Sequence, residues 1–167
     1  TAAKNNPNGL YIGRRFYQDG IADKVFNAGG PGYLLDSRAV KLLVTNVENS
    51  KCYPHQKAFW EDVNVAHCLK VSTYDNGKIG DLTVVPLDTR DELKRERFHP
   101  FTPDTHLLYG MNKGDQTGWY RQYNPELTFG EMCCSPNSIS FHYIGPDLLM
   151  KLTAYLYHCP VRINPHR

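Results

Sequence analysis

The sequence has no apolar run approaching the roughly 20 residues that a membrane-spanning helix requires, and no segment built like a secretory leader. A lumenal protein would therefore take its targeting segment from outside these 167 residues. No Cys-x-x-Cys pair occurs, which argues against a zinc ribbon. There is no internal repeat and no low-complexity stretch. Net charge is only +2 and the basic residues are spread along the chain, so nothing points to nucleic acid or an anionic membrane surface. The one dense charge run, Asp88 to Arg97, mixes both signs and reads as a solvated loop or helix face.

What is present describes a globular chain. Hydrophobic residues make up 41% and aromatics 12%, enough for one domain with a real core and too little length for two large ones. Of the five cysteines, Cys52 and Cys68 would close a modest loop, as disulfides of secreted or lumenal domains do; buried free thiols of a cytosolic protein are the other reading. Cys133 and Cys134 are adjacent and could bond to each other only through a strained small ring. They and Cys159 are left unassigned.

The chain is organised around the stretch from Phe26 to Cys68, and above all around Phe59-Trp60-Glu61-Asp62-Val63, where two carboxylates follow two large aromatics. A carboxylate held against apolar bulk suits a general base, because partial desolvation moves its pKa toward working pH. The same pair also suits the first turn of a helix, where acids favour the macrodipole. Upstream, Gly29, Gly30 and Gly32 interrupt a strand-like run from Val25 to Leu35, as glycines do in a tight turn or where a ligand approaches the backbone.

Leu10-Tyr11-Ile12 reads as a short strand, and the following Arg14-Arg15 could face a phosphate or solvent. Asp36 or Ser37 caps a helix whose apolar face is Val40, Leu43, Val44 and Val47. Lys51 to Lys57 is a loop, and Glu61 to Lys70 is a second helix with Val63, Ala66, Cys68 and Leu69 inward. Val71 to Thr73 and Leu82 to Val85 suggest strands about the turn Asp75-Asn76-Gly77. The prolines forbid a helix over Phe98 to Pro103. The loop-like stretch Gly114 to Glu131 carries Trp119, Tyr120, Tyr123 and Phe129, rings that suit either a sugar face or a satellite core. Ser138 to Tyr143 alternates as a strand, with Ile139, Phe141 and Tyr143 on one face and Ser138, Ser140 and His142 on the polar one. Gly145-Pro146-Asp147 opens a last helix with Leu148, Leu149, Leu152, Tyr155 and Leu156 as its buried stripe. The order of elements predicts an α/β fold, a mixed sheet flanked by helices with one cleft at the strand ends.

Several segments, in this order, resemble the β1,3-glycosyltransferase family that includes the core 1 β1,3-galactosyltransferases and fringe. They are Leu10 to Phe16, Gly29-Gly30-Pro31-Gly32-Tyr33-Leu34-Leu35, Cys52, Glu61-Asp62-Val63, Cys68, Arg90-Asp91 and Phe98-His99-Pro100-Phe101. Trp119-Tyr120, Cys133-Cys134-Ser135 and Ser140-Phe141-His142-Tyr143 complete the set, and the last two are closest to the core 1 branch.

The resemblance implies an inverting hexosyltransferase of the GT-A type, moving galactose from UDP-galactose to the O-linked GalNAc of a glycoprotein. It implies Asp62, beside Glu61, as the base; Gly29, Gly30 and Arg14 near the donor; Trp119 and Tyr120 at the acceptor; and His142 as a ligand to Mn2+. It matches Cys52 and Cys68 to a family disulfide. It places the full-length protein in the Golgi lumen as a type II membrane protein and is compatible with a homodimer. Residues 10–159 would be the C-terminal half of the catalytic domain, between an irregular end (1–9) and a loose tail (160–167). The family's Asp-x-Asp metal motif lies upstream of the matched region, so the isolated chain is expected to be inactive. The alternatives are a non-catalytic lumenal relative, either a chaperone or a sugar-binding module, and a fringe-like N-acetylglucosaminyltransferase.

Overall fold

The computed structural model describes residues 9–21, 23–49, 52, 60–70, 73–75, 78–80, 83–109, 118–124 and 126–158. The tail 160–167, all but Gly9 of the end 1–9, most of the loop from Lys51 to Lys57, Asn76-Gly77 of the expected turn, and Cys159 lie outside them.

The chain from Tyr11 to Tyr17 is extended, yet it serves two ladders. β1 (Tyr11–Gly13) pairs antiparallel with β4 (Tyr33–Leu35), and β2 (Arg15–Tyr17) pairs antiparallel with β3 (Val25–Asn27). Arg14 sits at the changeover, where its carbonyl accepts the Ala28 N–H at 2.8 Å. β5 (Thr73–Asp75) and β6 (Lys78–Gly80) form a hairpin, and β7 (Phe98–His99) runs parallel to β8 (Ser140–Phe141).

The fold is mixed α/β, but among the described residues its strands form four two-stranded ladders and no single wide sheet. Runs of two or three residues, interrupted by glycine and proline, cannot extend a ladder further. Of the expected strands, Val71, Ser72 and Leu82 lie outside the described residues, and residues 83–85 are not a strand; Val84 N–H instead donates to the Leu69 carbonyl at 2.9 Å.

The helices are α1 (Ser37–Glu48), α2 (Glu61–Lys70), α3 (Pro103–Leu108), α4 (Trp119–Gln122) and α5 (Pro146–Thr153), the last running into a wider turn over Ala154–His158. Asp36 caps α1, its Oδ1 accepting the Ala39 N–H at 2.9 Å. The buried face of α1 is Ala39, Leu42 and Asn46, while Val40 and Val44 are exposed, so the apolar spacing misplaces the stripe by one position. The reason is polar: Asn46 Nδ2 donates to the Cys68 carbonyl at 2.6 Å, and that bond sets the rotation of α1 against α2.

α2 packs on α1 and β3 and turns Ala66, Cys68 and Leu69 inward. The core gathers Tyr11, Phe16, Phe26, Leu42, Leu69 and Tyr120. α5 departs in part from the expected buried stripe: Leu149 and Tyr155 are exposed, while Leu148 and Leu152 are half-buried.

Cys52 and Cys68 are disulfide-bonded with their Cα atoms 5.2 Å apart, tying the segment ahead of α2 to that helix. Cys133 and Cys134, unassigned on sequence, bond to each other. The charge run Asp88 to Arg97 is a loop, as expected, exposed at Asp88, Glu92 and Lys94, but several of its charges are paired. Asp88 pairs with Arg15 at 3.0 Å and Arg90 at 2.6 Å, and Arg90 reaches Glu126 at 2.7 Å. Arg90 holds the Asp88 carboxyl down at about 2.

Candidate active site

Successive residues of one short turn fasten two distant parts of the chain, the start of α2 and the end of β8. Gly29 to Gly32 closes with a Gly32 N–H to Gly29 carbonyl bond of 2.9 Å. The Gly29 N–H donates to Asp62 Oδ2 at 2.8 Å, at the start of α2. A Cβ on Gly30 would lie 2.3 Å from His142 Nδ1, so the His142 ring occupies space that only glycine leaves open. The Pro31 carbonyl accepts the Ser140 hydroxyl at 2.6 Å.

This turn brings α2 and the end of β8 to the two sides of one cleft of about 630 Å3, within the size range of small-molecule sites. Asp62, Gly30, Trp119 and His142 all line it, although they come from four separate segments.

Asp62 is also fixed through Oδ1, which accepts the Val63 N–H at 2.9 Å. A carboxylate has about four lone-pair positions, so two backbone donors leave capacity for a substrate hydroxyl. Its neighbour Glu61 is committed elsewhere, as its Oε1 accepts the Tyr33 hydroxyl. Burial and that carboxylate push the Tyr33 phenol above its ordinary range, so it stays a donor.

His142 N–H donates to the His99 carbonyl at 2.9 Å, and its ring stacks on Tyr143 at 3.8 Å. Tyr143 has φ +59°, which ends the strand alternation and swings its ring to the same cleft as His142.

Trp119 is half exposed on the cleft wall, edge-on to Phe16 and tilted against Phe101. Tyr123, one of the rings of the same loop-like stretch, also lines the cleft, and Trp60, Phe101 and Tyr143 complete an aromatic lining that the sequence does not assign to the site. The signal for Trp60 was its place immediately before the acidic pair.

Two expected site residues are not at the cleft. Arg14 is 1% exposed, and its guanidinium pairs with the Glu96 carboxylate and donates to the Tyr120 hydroxyl at 3.1 Å. Tyr120 is 2% exposed and belongs to the core. Both are structural: Arg14 is an internal tie across the β1–β2 junction, with burial lowering its pKa to about 10. Gly29 reaches the site through its backbone only.

Under this wall lie two buried histidines, His99 and His106, with rings 5.1 Å apart. His99 Nε2 bonds the Ser138 hydroxyl at 2.8 Å, and His106 Nε2 accepts the Phe101 N–H at 3.3 Å. Burial lowers their pKa values to about 3 and about 4, so both are neutral near pH 7.

Over 150 residues the chain is 31% identical to glycoprotein-N-acetylgalactosamine 3-beta-galactosyltransferase 1 of Xenopus laevis. The similarity supports a β1,3-galactosyltransferase-like family. The match covers 89% of this chain but 38% of that protein, so the chain spans well under half of its relative. No family model matches the chain.

Among the described residues this cleft fits a manganese ion poorly. They include no group of three or more His, Cys, Asp and Glu side chains placed to hold a metal. His142 offers one nitrogen, whereas hard cations take several oxygen ligands. Among the described residues no helix is long and apolar enough to cross a membrane.

Proposed function

We propose that the chain forms the base-bearing and acceptor side of an inverting β1,3-galactosyltransferase of the GT-A type, taking UDP-galactose as donor and an O-linked GalNAc glycoprotein as acceptor. The observation that carries this reading is the Asp62 carboxylate on the cleft wall, anchored by the Gly29 amide and facing a space rimmed by aromatic rings.

In the proposed reaction Asp62 accepts the proton of the acceptor's 3-hydroxyl. The oxygen so exposed bonds to the anomeric carbon of galactose from the face opposite UDP, and the bond to the diphosphate oxygen breaks with its electron pair leaving on UDP. Glu61, turned to the Tyr33 hydroxyl, positions the start of α2 and does not take the proton. Trp119 and its aromatic neighbours supply flat faces for the apolar sides of the sugars. Gly29 and Gly30 lie near the donor sugar in this reading, Gly29 holding Asp62 and Gly30 seating His142, a place that Arg14 and Tyr120, being buried, do not share.

Manganese enters the proposal only through His142 as one ligand, the remainder coming from outside the described residues, and no step here is carried through the ion. A Golgi-lumenal, membrane-anchored full-length protein, able to form a homodimer, belongs to the same reading.

The test is transfer of labelled galactose from UDP-galactose to a GalNAc-peptide, run on the 167-residue chain and on a form extended to the length of its frog relative. Transfer by the extended form and none by the chain alone is expected. Robust turnover by the chain alone would show that the metal and diphosphate groups lie within it. No transfer by either would sink the reading.

A further inference from the structure

Beside the cleft lies a second depression of about 280 Å3, and the two share Gln18, Phe26 and Val63 as a common wall. They therefore adjoin, and together they trace a groove that leaves Asp62 and runs along the edge of α2 beside β3. The far part is lined by Asn64, His67 and Lys70 from α2 and by Asp23 and Lys24 from the turn ahead of β3. The helix residues follow from spacing: Val63, Ala66, His67 and Lys70 fall at i, i+3, i+4 and i+7, one face of a helix.

Both walls carry cations. Lys24 and Lys70 are exposed, and neither has an ion pair among the described residues. Lys70 Nζ instead donates to the Asp23 backbone carbonyl at 2.5 Å, which steers the ammonium toward the opposite wall of the depression. The Asp23 carboxylate opposes this positive charge only in part, since two lysines share the same 280 Å3. From Asp62 to Lys70 the helix rises about 12 Å, the span of about three or four residues of extended polypeptide.

We infer that this groove seats the acceptor's polypeptide and selects an acidic residue three or four positions from the glycosylated threonine or serine. The occupant is a peptide because the groove opens from the point where the sugar would sit. It is an acidic one because the far part of the groove holds two lysines without ion pairs against the single Asp23 carboxylate, while Asp19 and Asp62 lie at the cleft end. The inference rests on the galactosyltransferase reading for the position of the sugar, but the charge preference can be measured without it.

The experiment uses fluorescence anisotropy of labelled peptides on the folded chain. The peptides are identical except for Glu, Ala or Lys at the flanking positions, and each is made with and without GalNAc on the threonine. The Glu peptides should bind about threefold to tenfold more tightly than the Lys peptides, the range that one or two exposed ion pairs supply. The preference should appear in the unglycosylated set as well and shrink at 0.5 M salt, where the screening length is only about 4 Å. Lys24→Glu alone should reduce it, and Lys24→Glu with Lys70→Glu should reverse it. Equal affinities, or an order unchanged in the double variant, would overturn the inference. A retained Glu preference with no contribution from the GalNAc would leave the groove standing and count against the galactosyltransferase reading instead.

Discussion

Gly30 and His142 are remote in sequence and in such close register that a methyl group on Gly30 would lie 2.3 Å from His142 Nδ1. The His142 ring thus has its place only because position 30 carries no side chain. The adjoining Gly29 binds Asp62 and Pro31 binds Ser140, so this turn fixes both sides of the cleft at once.

Gly30→Ala should therefore displace the His142 ring while leaving the fold intact, at about 1–3 kcal/mol for local overpacking. Gly29→Ala meets the Asp62 side chain only at 3.5 Å, ordinary van der Waals contact, and should be far milder. The His142 ring resonances, recorded by NMR in both variants, check this. An unmoved His142 signal in Gly30→Ala would mean that the ring has room the structure does not show.

Asp62→Asn should lower kcat of the active, extended form by about 10²–10⁴-fold, the usual contribution of a positioned base. An asparagine oxygen can accept the Gly29 N–H, but its NH2 then faces the Val63 N–H, so the variant should also lose about 1 kcal/mol of stability. Glu61→Gln keeps an acceptor for the Tyr33 hydroxyl and should retain most activity. Side-by-side kinetics decide it: if Glu61→Gln is the more damaging, the two roles are reversed.

Removing the Cys52–Cys68 bridge by Cys52→Ala with Cys68→Ala should cost about 3 kcal/mol, as expected for a loop of this size. Urea denaturation without reductant should show a lower midpoint with a similar slope. An unchanged midpoint would mean that the bridge adds nothing to the packing of α2 on α1 and β3.

His99 and His106 make stability depend on pH. Their folded-state pKa values, about 3 and about 4, lie below the ordinary histidine value, so the unfolded chain binds protons that the folded chain does not. Their neutral burial costs nothing extra above about pH 6.5, and stability falls as pH drops below that toward the folded values. Between pH 6 and 5 the two together should remove about 2 kcal/mol, at up to 1.36 kcal/mol per group per unit. Urea midpoints at pH 7, 6 and 5 measure the loss, and His106→Gln should flatten it. A flat profile in the parent chain would show that these rings are protonated in the fold.

Much of the local structure follows from neighbouring residues. α2 runs from Glu61 to Lys70 as its pattern dictates and Asp36 caps α1, because caps and apolar spacing act within a few positions; α3, which begins at Pro103, was not expected from the sequence. Motif order alone named Asp62, Gly30, Trp119 and His142.

Tertiary contacts decided the rest. Arg14 and Tyr120 looked like surface chemistry and are buried partners, since a charge can enter a core when Glu96 arrives from far along the chain. Asn46, reaching the Cys68 carbonyl, rotates α1 away from its most apolar face. Tyr143 turns to the cleft through a positive φ that no period-two pattern encodes. Spacing along a chain specifies which residues share a face; whether that face meets protein or solvent depends on partners that folding brings from elsewhere.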